Sequence, residues 1–181
     1  MKVKYHKSIF QKLTNSETKK YYYESLSDIK SFNNIVSFDI SYTSHQIHVL
    51  PILLEEFYCV KCNLDLLPEL PKSLKILKCN WNNLTEISKL PENIIEFDCG
   101  NNNLTQLEEL PNSIQKFNCN DNKLIKLSNF PNSLKILKCD NNQLMLLPSF
   151  PNSLKILKCD NNQLMLLPSF PNSIEYIDCR Q

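Results

Sequence analysis

The twenty residues Pro131-Asn132-Ser133-Leu134-Lys135-Ile136-Leu137-Lys138-Cys139-Asp140-Asn141-Asn142-Gln143-Leu144-Met145-Leu146-Leu147-Pro148-Ser149-Phe150 recur letter for letter at 151–170. Outward from that pair the same period continues in looser form. Prolines stand at Pro51, Pro71, Pro91, Pro111, Pro131, Pro151 and Pro171, and cysteines at Cys59, Cys79, Cys99, Cys119, Cys139, Cys159 and Cys179, always twenty apart. Apolar columns keep step: Leu134, Leu137, Leu144 and Leu147 in one unit are Ile94, Phe97, Leu104 and Leu107 in another. An asparagine stands eleven residues after five of the prolines, at Asn82, Asn102, Asn122, Asn142 and Asn162. Six full units fill 51–170 and a seventh stops partway. The identical pair indicates a late duplication. A fixed period of this length is the signature of a repeat architecture.

Around each cysteine the pattern alternates. In Leu137-Lys138-Cys139-Asp140 the leucine and the cysteine point one way and the two charged residues the other, as in a short strand with one buried face. Strands recurring in one direction every twenty residues lie parallel and need a crossover. After the strand and two bends, too few residues remain for a packed helix, and Pro148 and Pro168 favour an extended or polyproline-like return. One coil cannot bury its own leucines, whereas stacked coils share a core. The fold class that follows is a parallel-β solenoid.

The asparagines answer a need of the bend. Where the chain leaves the strand, backbone N–H and C=O groups turn inward without ladder partners, and a buried side-chain amide carries both donors and an acceptor. We therefore expect a structural asparagine column. The pattern L-x-x-L-x-C-x-x-N-x-L-x-x-L, followed by P-x-[LF]-P as in Leu147-Pro148-Ser149-Phe150-Pro151, resembles the leucine-rich repeat family over residues 51–179. The short unit and paired prolines are similar to the LPX-type subclass of bacterial effectors of the YopM and IpaH group. One departure is systematic: cysteine replaces the leucine that usually precedes the asparagine by three. The resemblance implies a leucine-rich repeat solenoid that serves as a protein–protein interaction scaffold, with the partner on its concave strand face. The ubiquitin-ligase domain of IpaH-type effectors has no counterpart here, so that activity is not implied.

Outward-pointing strand positions form columns on that face. The apolar and basic members of the later coils, Ile136, Ile156, Tyr176, Lys138 and Lys158, together with Trp81 at a strand exit, are the candidate binding residues, since aromatic and apolar groups favour interfaces. Met145-Leu146 and Met165-Leu166 form an apolar stripe if exposed.

Residues 1–50 break the period and are read as an N-terminal cap. Thr14-x-x-Glu17 makes a capping box, Tyr22, Leu26 and Ile29 follow at helical spacing, and the pattern predicts a helix at about 16–32. From 33 to 50 a degenerate repeat follows, in which Ile35-Val36-Ser37-Phe38-Asp39-Ile40 alternates like a strand. Residues 1–20 carry a net charge of +5 and the remainder −4. After Cys179 the chain ends at Arg180-Gln181, and the uncapped end suggests, as the alternative to a scaffold, a self-associating or drifting repeat protein without a dedicated partner.

Composition narrows the chemistry. A single glycine, Gly100, excludes a phosphate-cradling loop or dinucleotide fingerprint. The 20 basic and 19 acidic side chains argue against a general nucleic-acid or anionic-membrane binder. No apolar run spans a bilayer, and Met1-Lys2-Val3-Lys4-Tyr5-His6-Lys7 lacks the apolar core of a secretory signal, so an intracellular, cytoplasmic protein is expected. In such a compartment Asn83-Leu84-Thr85 and Asn103-Leu104-Thr105 are turn residues rather than glycosylation sites. All eight cysteines are expected as free thiols: neighbours in the column stand within disulfide range, but in parallel register they lie side by side. No enzyme and no cofactor is expected, since His6, His45 and His48, the available bases for a cysteine nucleophile, lie outside the regular repeats. His45-x-x-His48 with Cys59-x-x-Cys62 leaves zinc binding open as a minor alternative. The composition, poor in glycine, alanine and arginine, is similar to that of repeat proteins from AT-rich amoebal protists and their giant viruses.

Overall fold

The computed structural model describes residues 2–4, 35–42, 47 and 49–180. The expected helix at about 16–32 lies outside these residues, as do all three histidines. Among the described residues nine three-residue strands form one sheet: β1 (Lys2–Lys4), β2 (Ser37–Asp39), β3 (Glu56–Tyr58), β4 (Ile76–Lys78), β5 (Glu96–Asp98), β6 (Lys116–Asn118), β7 (Ile136–Lys138), β8 (Ile156–Lys158) and β9 (Tyr176–Asp178). Each strand pairs in parallel with the next in sequence, so the chain winds as a solenoid. From β3 onward the register advances by one repeat per coil, with Leu77 beside Phe97, Phe117 beside Leu137, and Leu157 beside Ile177. The step from β2 to β3 is one residue shorter, Phe38 pairing with Phe57.

The repeated prolines open each coil. The Pro71 carbonyl accepts the Leu74 N–H at 3.0 Å, and Pro91, Pro111, Pro131, Pro151 and Pro171 do the same for Ile94, Ile114, Leu134, Leu154 and Ile174. This turn aims the chain into the strand. The ladder continues one residue beyond it, Cys79 N–H donating to the Asp98 carbonyl at 2.9 Å and Cys139 N–H to Lys158 at 2.8 Å. Past the cysteine, or past Ile40 in the coil of β2, the chain bends through a residue in the left-handed region: Tyr42, Lys61, Trp81, Asn101, Asp121, Asn141 and Asn161, with φ between 51° and 63°. Among the described residues from 51 to 180 the return side holds neither helix nor strand, as the prolines predict.

The core is a set of stacked columns. Leu54, Leu74, Ile94, Ile114, Leu134 and Leu154 are completely buried, as are the thiols of Cys59, Cys79, Cys99, Cys119 and Cys139. The mid-strand residues Phe57, Leu77, Phe97, Phe117, Leu137 and Leu157 fill the space beneath the sheet. The Phe97 and Phe117 rings stack at 5.6 Å between centroids, and on the return side Phe130, Phe150 and Phe170 stack at 6.2 and 5.8 Å. Each such side chain taken from water contributes about 1.5–3 kcal/mol. No coil owns this core, so stability comes from nearest-neighbour contact.

Two columns of polar side chains lock coil to coil. The Asn82 amide donates to the carbonyls of Cys59 (2.7 Å) and Cys79 (2.9 Å), and its oxygen accepts from Cys62 and Leu64 N–H. Asn102, Asn122, Asn142 and Asn162 repeat the arrangement, each donating to a cysteine carbonyl of its own coil and of the preceding one. Serines two residues after the prolines form the second column, which the sequence reading missed. Ser73, Ser113, Ser133, Ser153 and Ser173 each donate a hydroxyl to the carbonyl of the corresponding core residue one coil earlier, as Ser153 does to Leu134 at 2.6 Å.

The cysteine expectation needs one correction. Cys159 and Cys179 are joined in a disulfide, with their Cα atoms 4.8 Å apart. Cys59, Cys62, Cys79, Cys99, Cys119 and Cys139 remain thiols. Adjacent coils hold their cysteines within bonding distance, and in the last described coil looser packing lets the sulfurs turn toward each other: Ile177 is 40% exposed where its equivalents are buried.

Candidate functional site

The strands expose two outward positions each, and the column through the first runs Glu56, Ile76, Glu96, Lys116, Ile136, Ile156, Tyr176. Its two halves differ. In the earlier half Glu96 is shared by two lysines, Lys78 at 2.8 Å and Lys116 at 3.4 Å. Burial opposes ionisation of Glu96, but the hydrogen bond and charge of Lys78, assisted by Lys116, outweigh it and hold the carboxyl below its usual range. The Glu96 hydrogen bond in turn raises the Lys78 ammonium. Burial, then the Glu56 charge, push the Tyr58 phenol up. This half is internally compensated.

The later half is apolar. Ile136, Ile156 and Tyr176 lie directly beside one another in β7, β8 and β9, and Tyr176 is 48% exposed. One column over, Lys138 pairs in register with Lys158, and the Lys158 ammonium sits 5.7 Å from the centre of the Tyr176 ring. Beyond the lysines come Asp140 and Asp160; burial, then the charges of Asp160 and Asp121, raise the Asp140 carboxyl. A partly exposed apolar row thus runs alongside a basic row and an acidic row on one sheet. Trp81 is not part of this group. It is 56% exposed at the exit of β4, three coils away.

Past the strand exit, Ile125, Met145, Leu146, Met165 and Leu166 are exposed at equivalent places in three successive coils. At the last described coil a cavity of about 260 Å³ opens between Cys159, Leu164, Leu167 and Cys179.

The cysteines offer little to nucleophilic chemistry. Burial pushes the thiols of Cys59, Cys79, Cys99, Cys119 and Cys139 well above the usual range, so they are held protonated. Cys62 stands where the other coils carry asparagine, and its thiol reaches the Ile40 carbonyl at 3.1 Å. Of the four residues considered for zinc, Cys59 and Cys62 are buried in the repeat core, while His45 and His48 lie outside the described residues.

No family model and no curated protein matches the chain. Solved structures do. YopM from Yersinia enterocolitica WA-314 superposes with a TM-score of 0.71 at 31% identity, over 79% of this chain and 31% of that one. YopM from Yersinia pestis, a leucine-rich effector protein, superposes with a TM-score of 0.74 at 31% identity, over 94% of this chain and 50% of that one. A Shigella effector leucine-rich repeat domain gives a TM-score of 0.69 at 24% identity, over 87% of this chain and 83% of that one, a likeness of fold. The chain therefore spans between about a third and a half of the length of the YopM structures it matches.

Proposed function

We propose that this leucine-rich repeat solenoid of the LPX type is a non-catalytic scaffold that holds a protein partner against its concave strand face. The observation that carries this reading is the partly exposed row Ile136, Ile156 and Tyr176, flanked by Lys138 and Lys158, on a sheet whose geometry is fixed by the core behind it. Apolar groups rimmed by charge, presented without the entropy cost of ordering a loop, are what protein recognition uses. The protonated, buried thiols support the non-catalytic side of the reading. The Yersinia and Shigella proteins are described as effectors, which supports a place of action inside a host cell.

Affinity capture with wild-type protein and with an Ile136→Glu/Ile156→Glu/Tyr176→Ala variant tests the reading. A partner retained by the first and lost by the second supports it, provided both melt cooperatively. A partner held equally by both removes the concave row from recognition.

A second reading is self-association through the last described coil, favoured by the exposure of Leu167, Phe170 and Ile177 and by the cavity that Leu167 lines. Sedimentation that rises in mass with concentration supports it; a monomer at every accessible concentration counts against it.

A further inference from the structure

We propose that the rim of the sheet at its N-terminal end carries a separate recognition site, the row Tyr42, Lys61 and Trp81, which takes an extended peptide segment presenting one carboxylate between apolar side chains. The three residues occupy equivalent places in successive coils: Tyr42 N–H donates to the Val60 carbonyl, Lys61 N–H to Asn80 and Trp81 N–H to Gly100, at 2.7, 3.1 and 3.0 Å. All three sit in the left-handed region, at φ of 63°, 53° and 59°. From the next coil onward the same place is filled by Asn101, Asp121, Asn141 and Asn161, residue types that tolerate this conformation. The fold asks only for the backbone N–H here, which asparagine supplies at less strain. A bulky aromatic or a lysine in this conformation costs stability, and such strain concentrates at functional sites.

What the row presents is specific. Tyr42 is 76% and Trp81 56% exposed, and Trp81 is the chain's single tryptophan. Between them Lys61 is exposed and, like Lys72, Lys123 and Lys126, makes no ion pair among the described residues. Neighbouring coils stand about 4.8 Å apart, which sets the backbones of the two aromatic residues about 10 Å apart with that of Lys61 between them. An apolar–carboxylate–apolar segment matches that order of groups in both charge and polarity. Aromatic residues interleaved with a cation also suit stacked nucleic-acid bases, but such grooves carry a continuous basic track. Here Asp39 and Asp98 end the neighbouring strands β2 and β5 and interrupt one. The row stands three or more coils from Ile136 and does not depend on the concave site.

Trp81 makes the test direct, because its emission reports on this row alone. The probes are a capped peptide with one glutamate between leucine and phenylalanine, the same peptide with glutamine, and oligothymidylate. Expected is a saturable emission change with the glutamate peptide at low salt, weakened about tenfold by glutamine in the peptide or by Lys61→Asn. Calorimetry with Trp81→Asn is expected to show loss of binding together with an unchanged or raised Tm. No saturable response, an equal response to the glutamine peptide, or a preference for oligothymidylate overturns the proposal. So does a lowered Tm for Trp81→Asn, which makes the indole a packing residue.

Discussion

The Asn102 side chain joins two coils at once: its amide donates to the Cys79 carbonyl one coil back at 3.1 Å, while its oxygen accepts the Leu84 N–H at 3.0 Å. It also reaches the Cys99 carbonyl of its own coil at 3.0 Å. Because Asn102 is buried, water does not replace these bonds. Asn102→Ala is predicted to lower stability by about 1–3 kcal/mol, read from the urea midpoint. Asn102→Asp keeps the acceptor but turns a carboxylate toward two carbonyls, and is predicted to be worse at neutral pH than at pH 4.

The alternation of faces makes a sharp contrast between neighbours. Leu157 is fully buried and Ile156 is on the concave surface. Leu157→Ala is predicted to cost about 2–5 kcal/mol by opening a cavity, and Ile156→Ala under about 1 kcal/mol. Chemical denaturation of the two variants measures the difference; equal losses would contradict the assigned faces.

The disulfide has a countable consequence. Titration of unreduced, denatured protein is predicted to find six thiols, and eight after reduction, because Cys159 and Cys179 are paired. Cys179→Ser, with one cysteine fewer and no bridge, should give seven. Reduction removes a constraint on a 20-residue loop and should loosen the last coil by up to about 3 kcal/mol.

Alkali should unfold the protein steeply. The folded-state pKa values of Cys59, Cys79, Cys99, Cys119 and Cys139 lie above their ordinary value because burial disfavours the thiolate. A raised pKa means stability that is full below the unfolded pKa and is lost above it, as the unfolded chain sheds protons the folded chain keeps. The loss begins near pH 8.5 and approaches about 1.4 kcal/mol per pH unit for each thiol. At the acid end Glu96, held below its usual range, contributes stability that falls away as pH drops through its folded pKa. Denaturation midpoints from pH 3 to 11 should trace a dome with the steeper side in alkali.

The period, the strand positions, the inward face and the asparagine column can all be read from the spacing of proline, cysteine, leucine and asparagine, because a repeat imposes the same environment on every equivalent residue. The serine column was as visible in letters, yet the partner of Ser153 depends on where the Leu134 carbonyl of the previous coil points, which spacing does not encode. Of each asparagine pair, Asn142 has a reading from its amide, whereas Asn141 owes its identity to a left-handed φ that only the turn geometry reveals. That geometry is also what sets Trp81 and Lys61 apart as departures. In the concave row the apolar positions were legible by alternation, but the Lys158 ammonium over the Tyr176 ring depends on rotamers. The Cys159–Cys179 bridge escaped because the side-by-side argument holds for packed coils and fails where Ile177 is exposed.

Cross-linking of the captured complex through lysine amines distinguishes the two surfaces, since lysines mark both sides of the strand exit. Contact with the concave face predicts partner cross-links at Lys138 and Lys158, on β7 and β8. Cross-links confined to Lys123 and Lys126, beside the exposed Ile125 stripe, would contradict it.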